Sequence, residues 1–168
     1  RRLRPLRLTV RVMAGPASTL PAMVDYRVVN PAEWIGRAMP LLQAHWAELS
    51  MGFELDPDAQ TYQKLHEAGL MFAVAAVDAD ELVGYASVSV SPHPHNRQVV
   101  FAISDALFVV PERRGSLVPA RLMKSAEAEA RARGAVRFMW ACRAGTPLAA
   151  MLERHGYAPA EQYVMKEF

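Results

Sequence analysis

The stretch ISDALFVVPERRGSLVPARLMKSAEAEARARG, residues 103–134, decides the reading of this chain. An apolar strand runs into Pro111. A short basic turn, Glu112-Arg113-Arg114-Gly115-Ser116, follows, and the pattern predicts a helix from near Val118 to a stop at Gly134. Strand, basic turn and helix in that order make an anion site. The first turn of a helix has N–H groups with no intrahelical partner, and the helix dipole adds partial positive charge there. Arg113 and Arg114 add full charges, so the expected guest is a phosphate or pyrophosphate. An ordinary strand-to-helix connection with solvated arginines fits the same residues, because short motifs match by chance.

The C-terminal stretch GTPLAAMLERHGYAPAEQYVMKEF, residues 145–168, carries its own signals. Thr146 suits a helix N-cap and Pro147 the first helical position. Leu148, Met151, Leu152 and His155 fall on one face at helical spacing. Gly156 supplies a left-handed residue at the helix end. An extended run from Tyr157 to Phe168 is expected to form a last strand.

Taken together, the two segments resemble the GNAT acetyltransferase superfamily. Its acyl-CoA-binding motif is a strand ending in hydrophobic-x-Pro, then Arg-Gly-x-Gly-x-Gly/Ala and a long helix. Val109-Val110-Pro111 and Arg114-Gly115 stand in the matching places. The next two motif glycines fall on Leu117, which is bulkier, and on Pro119, which has no N–H but suits a first helical turn. The resemblance spans roughly residues 26–168 and is strongest from residue 102 onward. The Gly145–Ala149 start and the His93-Pro94-His95 loop look most like GNAT-like proteins of bacteriophages.

The bulk numbers agree with one globular domain. A chain of 168 residues, 52% hydrophobic and 21% charged, can bury a core. No apolar run approaches the ~20 residues of a membrane helix. The single cysteine, Cys142, excludes an internal disulfide framework, suits a reducing cytosol and reads as a core thiol inside a strand. No metal-ligand spacing is present, and no metal is expected. Residues 1–22 hold five arginines and no acid, which leaves 14 basic against 17 acidic residues in the rest, a net of −3. The tail could be a basic arm or a targeting peptide; we expect a disordered leader or over-extended start, with 23–168 as a single acyl-CoA-binding domain. The acidic remainder argues against nucleic acid as the main partner.

Local patterns place the remaining elements. A strand is expected at Val24–Val29. A helix follows, capped by Asn30, Pro31 and Glu33, with Trp34, Ile35, Ala38, Leu41, Leu42 and Trp46 inward and a kink or split at Pro40. A second helix starts at Asp56-Pro57-Asp58 and ends at Gly69. Strands at Met71–Val77 and Leu82–Val90 form a hairpin, and residues 91–98 a loop. Val99–Val110 is a long central strand and Val136–Cys142 the strand after the helix. Glu127 with Arg131 and Glu129 with Arg133 are expected surface pairs. The order β-α-α-β-β-β-α-β-α-β is that of the GNAT fold, an α/β three-layer arrangement with helices flanking a mixed sheet.

The resemblance implies a function: an acyl-CoA-dependent N-acetyltransferase, with acetyl-CoA as cosubstrate and a small-molecule or protein amine as acceptor, cytoplasmic, monomer or homodimer. Backbone groups of Phe108, Val109 and Val110 would bond the pantetheine arm. Arg113, Arg114, Gly115, Ser116, Leu117 and Val118 would hold the pyrophosphate. Asp105, an acid in an apolar strand near where the family places an acidic residue or bound water, is the base candidate; partial desolvation would raise its pKa. A structural carboxylate, bonded to a backbone amide or to Arg97, is the other reading. His93 and His95, in a loop expected to face the substrate cleft, could relay a proton or hold an anionic substrate, or be merely solvated. The tyrosine that many members use as general acid falls on Leu152. That gap, with Leu117 and Pro119, keeps a second reading open: a non-catalytic module of the same fold that binds acyl-CoA or a partner protein.

Overall fold

The computed structural model describes residues 23–161 and 163–166. The basic tail, residues 1–22, lies outside them. Five strands and four helices follow in the order β1 (Asp25–Val29), α1 (Pro31–Leu49), α2 (Ala59–Glu67), β2 (Met71–Asp78), β3 (Glu81–His93), β4 (Asn96–Val109), a 3-10 turn (Pro111–Arg113), α3 (Val118–Ala132), β5 (Ala135–Met139) and α4 (Pro147–Arg154). The strands form one mixed sheet in chain order. The first four pair antiparallel and β5 joins β4 in parallel, after the α3 crossover.

Strand alternation sorts the sheet into two buried faces. Phe72, Val74 and Ala76 of β2 point to the face covered by Val118, Leu122, Ala126 and Ala130 of α3. Ala75 and Val77 point the other way, where Trp34, Ala38 and Leu41 of α1 pack. Covered on both faces, β2 is buried from Met71 to Val77, which is why it reads as a continuous apolar run. The result is a three-layer α/β/α arrangement.

The expected caps are made. The side chain of Asn30 accepts from the Ala32 N–H, that of Asp58 from Gln60 and that of Thr146 from Ala149. Several expectations need correction. Helix α1 continues unbroken through Pro40, which is exposed, so the carbonyl it leaves unpaired faces water. The expected loop at 91–98 is the tip of a hairpin: β3 runs to His93, β4 starts at Asn96, and only Pro94 and His95 turn. Pro92 is tolerated there because β2 pairs with β3 only as far as Ser89, so the missing N–H interrupts no ladder on that side. Strand β5 stops at Met139, three residues early, and Cys142 is exposed rather than a core thiol. His155 is exposed, past the end of α4, while Leu152 is buried.

The expected last strand is not formed among the described residues: 157–161 and 163–166 lie in no strand, and Phe168 falls outside the description. What anchors this segment is Glu127. Its carboxylate accepts from the Tyr157 hydroxyl at 2.6 Å and from the Trp140 indole at 2.8 Å, rather than pairing with Arg131. Burial, then the bond to Glu127 and its charge, push the Tyr157 phenol up to about 12. The Glu129–Arg133 pair forms as expected, at 2.7 Å.

Candidate functional site

Strand β4 carries a bulge at its centre. Ser87 of β3 pairs with Ala106, yet the next β3 residue, Val88, pairs with Ser104, so Asp105 has no partner of its own. A bulge inserts one residue and re-aims side chains. Before it, Val100 and Ala102 face the α3 side; after it, Leu107 and Val109 do. Asp105 and Ala106 therefore both border a cavity under α1 and α2. There the Ser87 hydroxyl donates to Asp105 Oδ2 at 3.1 Å. Neither Arg97 nor a backbone amide bonds this carboxylate among the described residues. Asp105 is exposed at the cavity mouth rather than buried in the apolar strand. The bulge, which the sequence pattern does not announce, supplies that exposure.

Strand β4 also parts from β5 at this point. Parallel pairing runs from Val100–Ala135 to Ile103–Met139 and ends. The Ser104 hydroxyl accepts from the Ala141 N–H at 2.8 Å, one last bridge. Beyond it, among the described residues, the β5-side edge of β4 has no strand partner as it leads through Phe108 and Val109 to the basic turn. A cleft of about 630 Å³ opens at the parting, lined by Ile103, Met139, Cys142, Arg143, Leu152 and Tyr157 among others. Leu152, standing where a phenol was sought, is 5% exposed and has no proton to give.

The turn itself is basic, but both arginines are held by acids. Arg113 pairs with Asp78 at the end of β2. Arg114 reaches Glu48 of α1 at 2.6 Å and donates through Nε to the Val109 carbonyl at 2.7 Å; its guanidinium lies 5.1 Å from the Phe108 ring centre. Ser116 closes the turn: its hydroxyl donates to the Arg113 carbonyl and accepts from the Val118 N–H. The N–H groups of Gly115, Leu117 and Ala120 donate to no protein group among the described residues. Leu117 is exposed, so its bulk fills no part of the core. The turn thus offers unpaired donors beside two cations, which fits a phosphate chemically.

Sequence reading missed the groups that α1 and α2 bring to Asp105. His45 Nδ1 shares a 2.8 Å hydrogen bond with the Tyr85 hydroxyl, and its ring stacks on Phe108 at 5.1 Å. Burial lowers the His45 pKa, against the pull of Glu48, which favours the neutral ring. Burial, with Tyr62 and Asp105 nearby, raises the Tyr85 phenol far above its ordinary value, and burial raises Tyr62 as well. The one available signal was the spacing of His45 and Glu48, three apart on a helix face. His93 and His95 do not join this group. Their rings are 5.6 Å apart at the β3–β4 hairpin tip, where His93 sits edge-on to Phe101. Asp105 is nine residues along β4 from the tip, about 30 Å at strand rise. Trp46 bonds the Phe53 carbonyl and lines neither opening.

The three-layer sheet, the bulge and the parted strands define the class. Residues 38–157 match the model of the acetyltransferase (GNAT) family, and the chain belongs to that family. No curated protein sequence matches it significantly. Solved structures share its fold. Ribosomal-protein-alanine N-acetyltransferase from Brucella melitensis biovar Abortus 2308 is 19% identical, with a TM-score of 0.67 over 87% of this chain and 100% of that one. The aminoglycoside acetyltransferase HMB0005 from an uncultured soil metagenomic sample is 18% identical, with a TM-score of 0.70 over 87% and 99%. AAC(6')-Iy, solved with the bisubstrate analogue CoA-S-monomethyl-acetylneamine, is 14% identical, with a TM-score of 0.69 over 87% and 98%. Among the described residues no helix is long and apolar enough to cross a membrane, and no group of His, Cys, Asp or Glu could hold a metal ion.

Proposed function

We propose that this protein transfers an acetyl group from acetyl-CoA to an amine nitrogen. The observation that carries the reading is the position of the bulge. Ile103, just before it, lines the 630 Å³ cleft where β4 and β5 part, and Asp105 lines the cavity on the other side. A donor entering by the cleft and an acceptor entering by the cavity meet at one point on β4. The stretch of β4 at Phe108, Val109 and Val110, beyond its pairing with β5, would meet the amide groups of a pantetheine arm, which at the Val109 carbonyl must share with Arg114 or displace it. The free N–H groups of the 113–118 turn, with Arg113 and Arg114, suit its pyrophosphate.

In this reading Asp105 sets the acceptor ammonium against the thioester and takes its proton. The neutral nitrogen attacks the carbonyl carbon; the N–C bond forms and the C–S bond breaks. The second nitrogen proton passes to the departing thiolate through water, since Leu152 cannot supply one. Alignment of the two substrates provides most of the acceleration and Asp105 the proton transfer. The neutral His45–Tyr85 pair holds the wall next to the Asp105 side of the site. A CoA-binding module without turnover is favoured by one observation, the buried Leu152 in place of a phenol. Release of free thiol from acetyl-CoA in the presence of pooled primary amines tests the two: amine-dependent release supports transfer, and tight CoA binding without release supports the module.

A further inference from the structure

The cavity beside Asp105 narrows what the acceptor can be. It measures about 70 Å³. Its walls include Trp34, Ile35, Ala38 and Leu42 of α1, and its hydroxyl and carboxylate side chains are Tyr62, Tyr85, Ser87 and Asp105. Among the described residues, Asp105 is the one charged side chain that lines the cavity, and no lysine, arginine or histidine lines it. Glu48, the nearest acid on α1 to the basic turn, is already paired with Arg114.

Each feature excludes a class of amine. One carboxylate neutralises one ammonium, so the further charges of a polyamine or an aminoglycoside would be left without counterions at an apolar wall. A free amino acid would set its own carboxylate beside Asp105 with no cation to receive it. Volume sets the tail. The cavity is about half the ~150 Å³ that accepts benzene, with room for roughly two to three groups of the ~30 Å³ a water molecule occupies in the liquid. We propose that the acceptor is a primary monoamine bearing a short branched alkyl group, with the ammonium at Asp105 and the alkyl group among Trp34, Ile35, Ala38 and Leu42. This rests on the N-acetyltransfer reading above. A free alkylamine and the N-terminal α-amine of a peptide that begins with valine present the same chemistry.

The test uses the full chain, saturating acetyl-CoA and free-thiol release with methylamine, isobutylamine, phenethylamine, valine, a valine-initiated tetrapeptide and spermidine. Acetyl-CoA binding is measured separately by calorimetry. Each buried carbon is worth about fourfold, so kcat/KM should rise by at least tenfold from methylamine to isobutylamine. It should fall again for phenethylamine, and valine and spermidine should be the poorest acceptors. Isobutylamine and the tetrapeptide both support the proposal, and whichever is faster identifies the source of the amine. Spermidine or valine ahead of isobutylamine overturns the proposal while acetyl transfer stands. Absence of acetyl-CoA binding overturns both. Ala38→Leu should cost isobutylamine at least tenfold more than it costs methylamine. Equal effects on the two amines in a folded variant contradict the placement of the tail, and the wild-type series decides the matter if the variant does not fold.

Discussion

The Arg114 guanidinium lies 2.6 Å from the Glu48 carboxylate, joining the turn after β4 to the last turn of α1. Both side chains are nearly half exposed, so the pair itself contributes at most about 1 kcal/mol. Its interest is competitive. A phosphate that takes Arg114 must share it with Glu48 or displace Glu48. Glu48→Gln should therefore bind acetyl-CoA about 1.5- to 5-fold more tightly, read by calorimetry, with stability changed by no more than about 1 kcal/mol. Weaker binding in the folded variant would show that Glu48 positions Arg114 instead of competing for it.

Asp105→Asn keeps the shape and the bond from Ser87 but cannot take a proton. General-base catalysis contributes roughly 10²–10⁴-fold, so turnover should fall by about that factor while acetyl-CoA affinity stays within twofold. Near-normal turnover in the folded variant removes Asp105 from the chemistry and leaves the neutral His45–Tyr85 pair as the next group to test.

Gly84 sits in β3 opposite Val109, and a Cβ there would lie 2.9 Å from the Phe108 carbonyl oxygen and 3.0 Å from Val109 Cγ2. The obstruction includes backbone, so β4 must shift at the edge assigned to pantetheine. Gly84→Ala should cost about 1–3 kcal/mol by overpacking. Its melting temperature should drop by about 2–4 °C for each kcal/mol lost, and acetyl-CoA binding should weaken with it. An unchanged melting temperature would mean that β3 and β4 separate there at no cost.

His45 gives a pH signature. Its pKa is lowered in the folded protein, chiefly by burial, so the unfolded chain takes up the proton first as pH falls. The stability linked to the neutral ring is complete above the unfolded value of about 6.5 and is lost as pH drops from there through the folded pKa. His45→Gln should remove this part of the profile. Denaturant unfolding between pH 7.5 and 5 checks it: the difference between wild type and variant should shrink as pH falls, and a constant difference would place no titration at His45.

Much of the fold was legible because its signals are local. Asn30, Asp58 and Thr146 cap helices within two or three residues, and the strand, turn and helix around Pro111 follow one another in the chain. The errors arose where a distant partner decides. Pro92 and Pro94 read as loop, but the short reach of β2 leaves room for Pro92 in a strand. Cys142 and Trp140 continue an apolar pattern, yet β5 ends before them because β4 turns away at the bulge. The basic turn was visible as charge, not as charge already paired with Asp78 and Glu48. His45 and Tyr85, 40 residues apart, carry no periodicity that links them, and a bulge is a mismatch between two strands that neither one shows alone. His93 and His95 drew notice by composition, and the hairpin carries them away from Asp105.

The central claim is that the turn at Arg114 binds the pyrophosphate of acetyl-CoA. The direct measurement is calorimetric titration of acetyl-CoA into the wild-type protein and into Arg114→Ala, with folding of each confirmed by thermal melting. The account predicts saturable binding at one site per chain, weakened by about 1.5–3 kcal/mol in the variant through loss of a charge-assisted bond. No saturable binding to the wild type, or equal affinity in the two folded proteins, would contradict it.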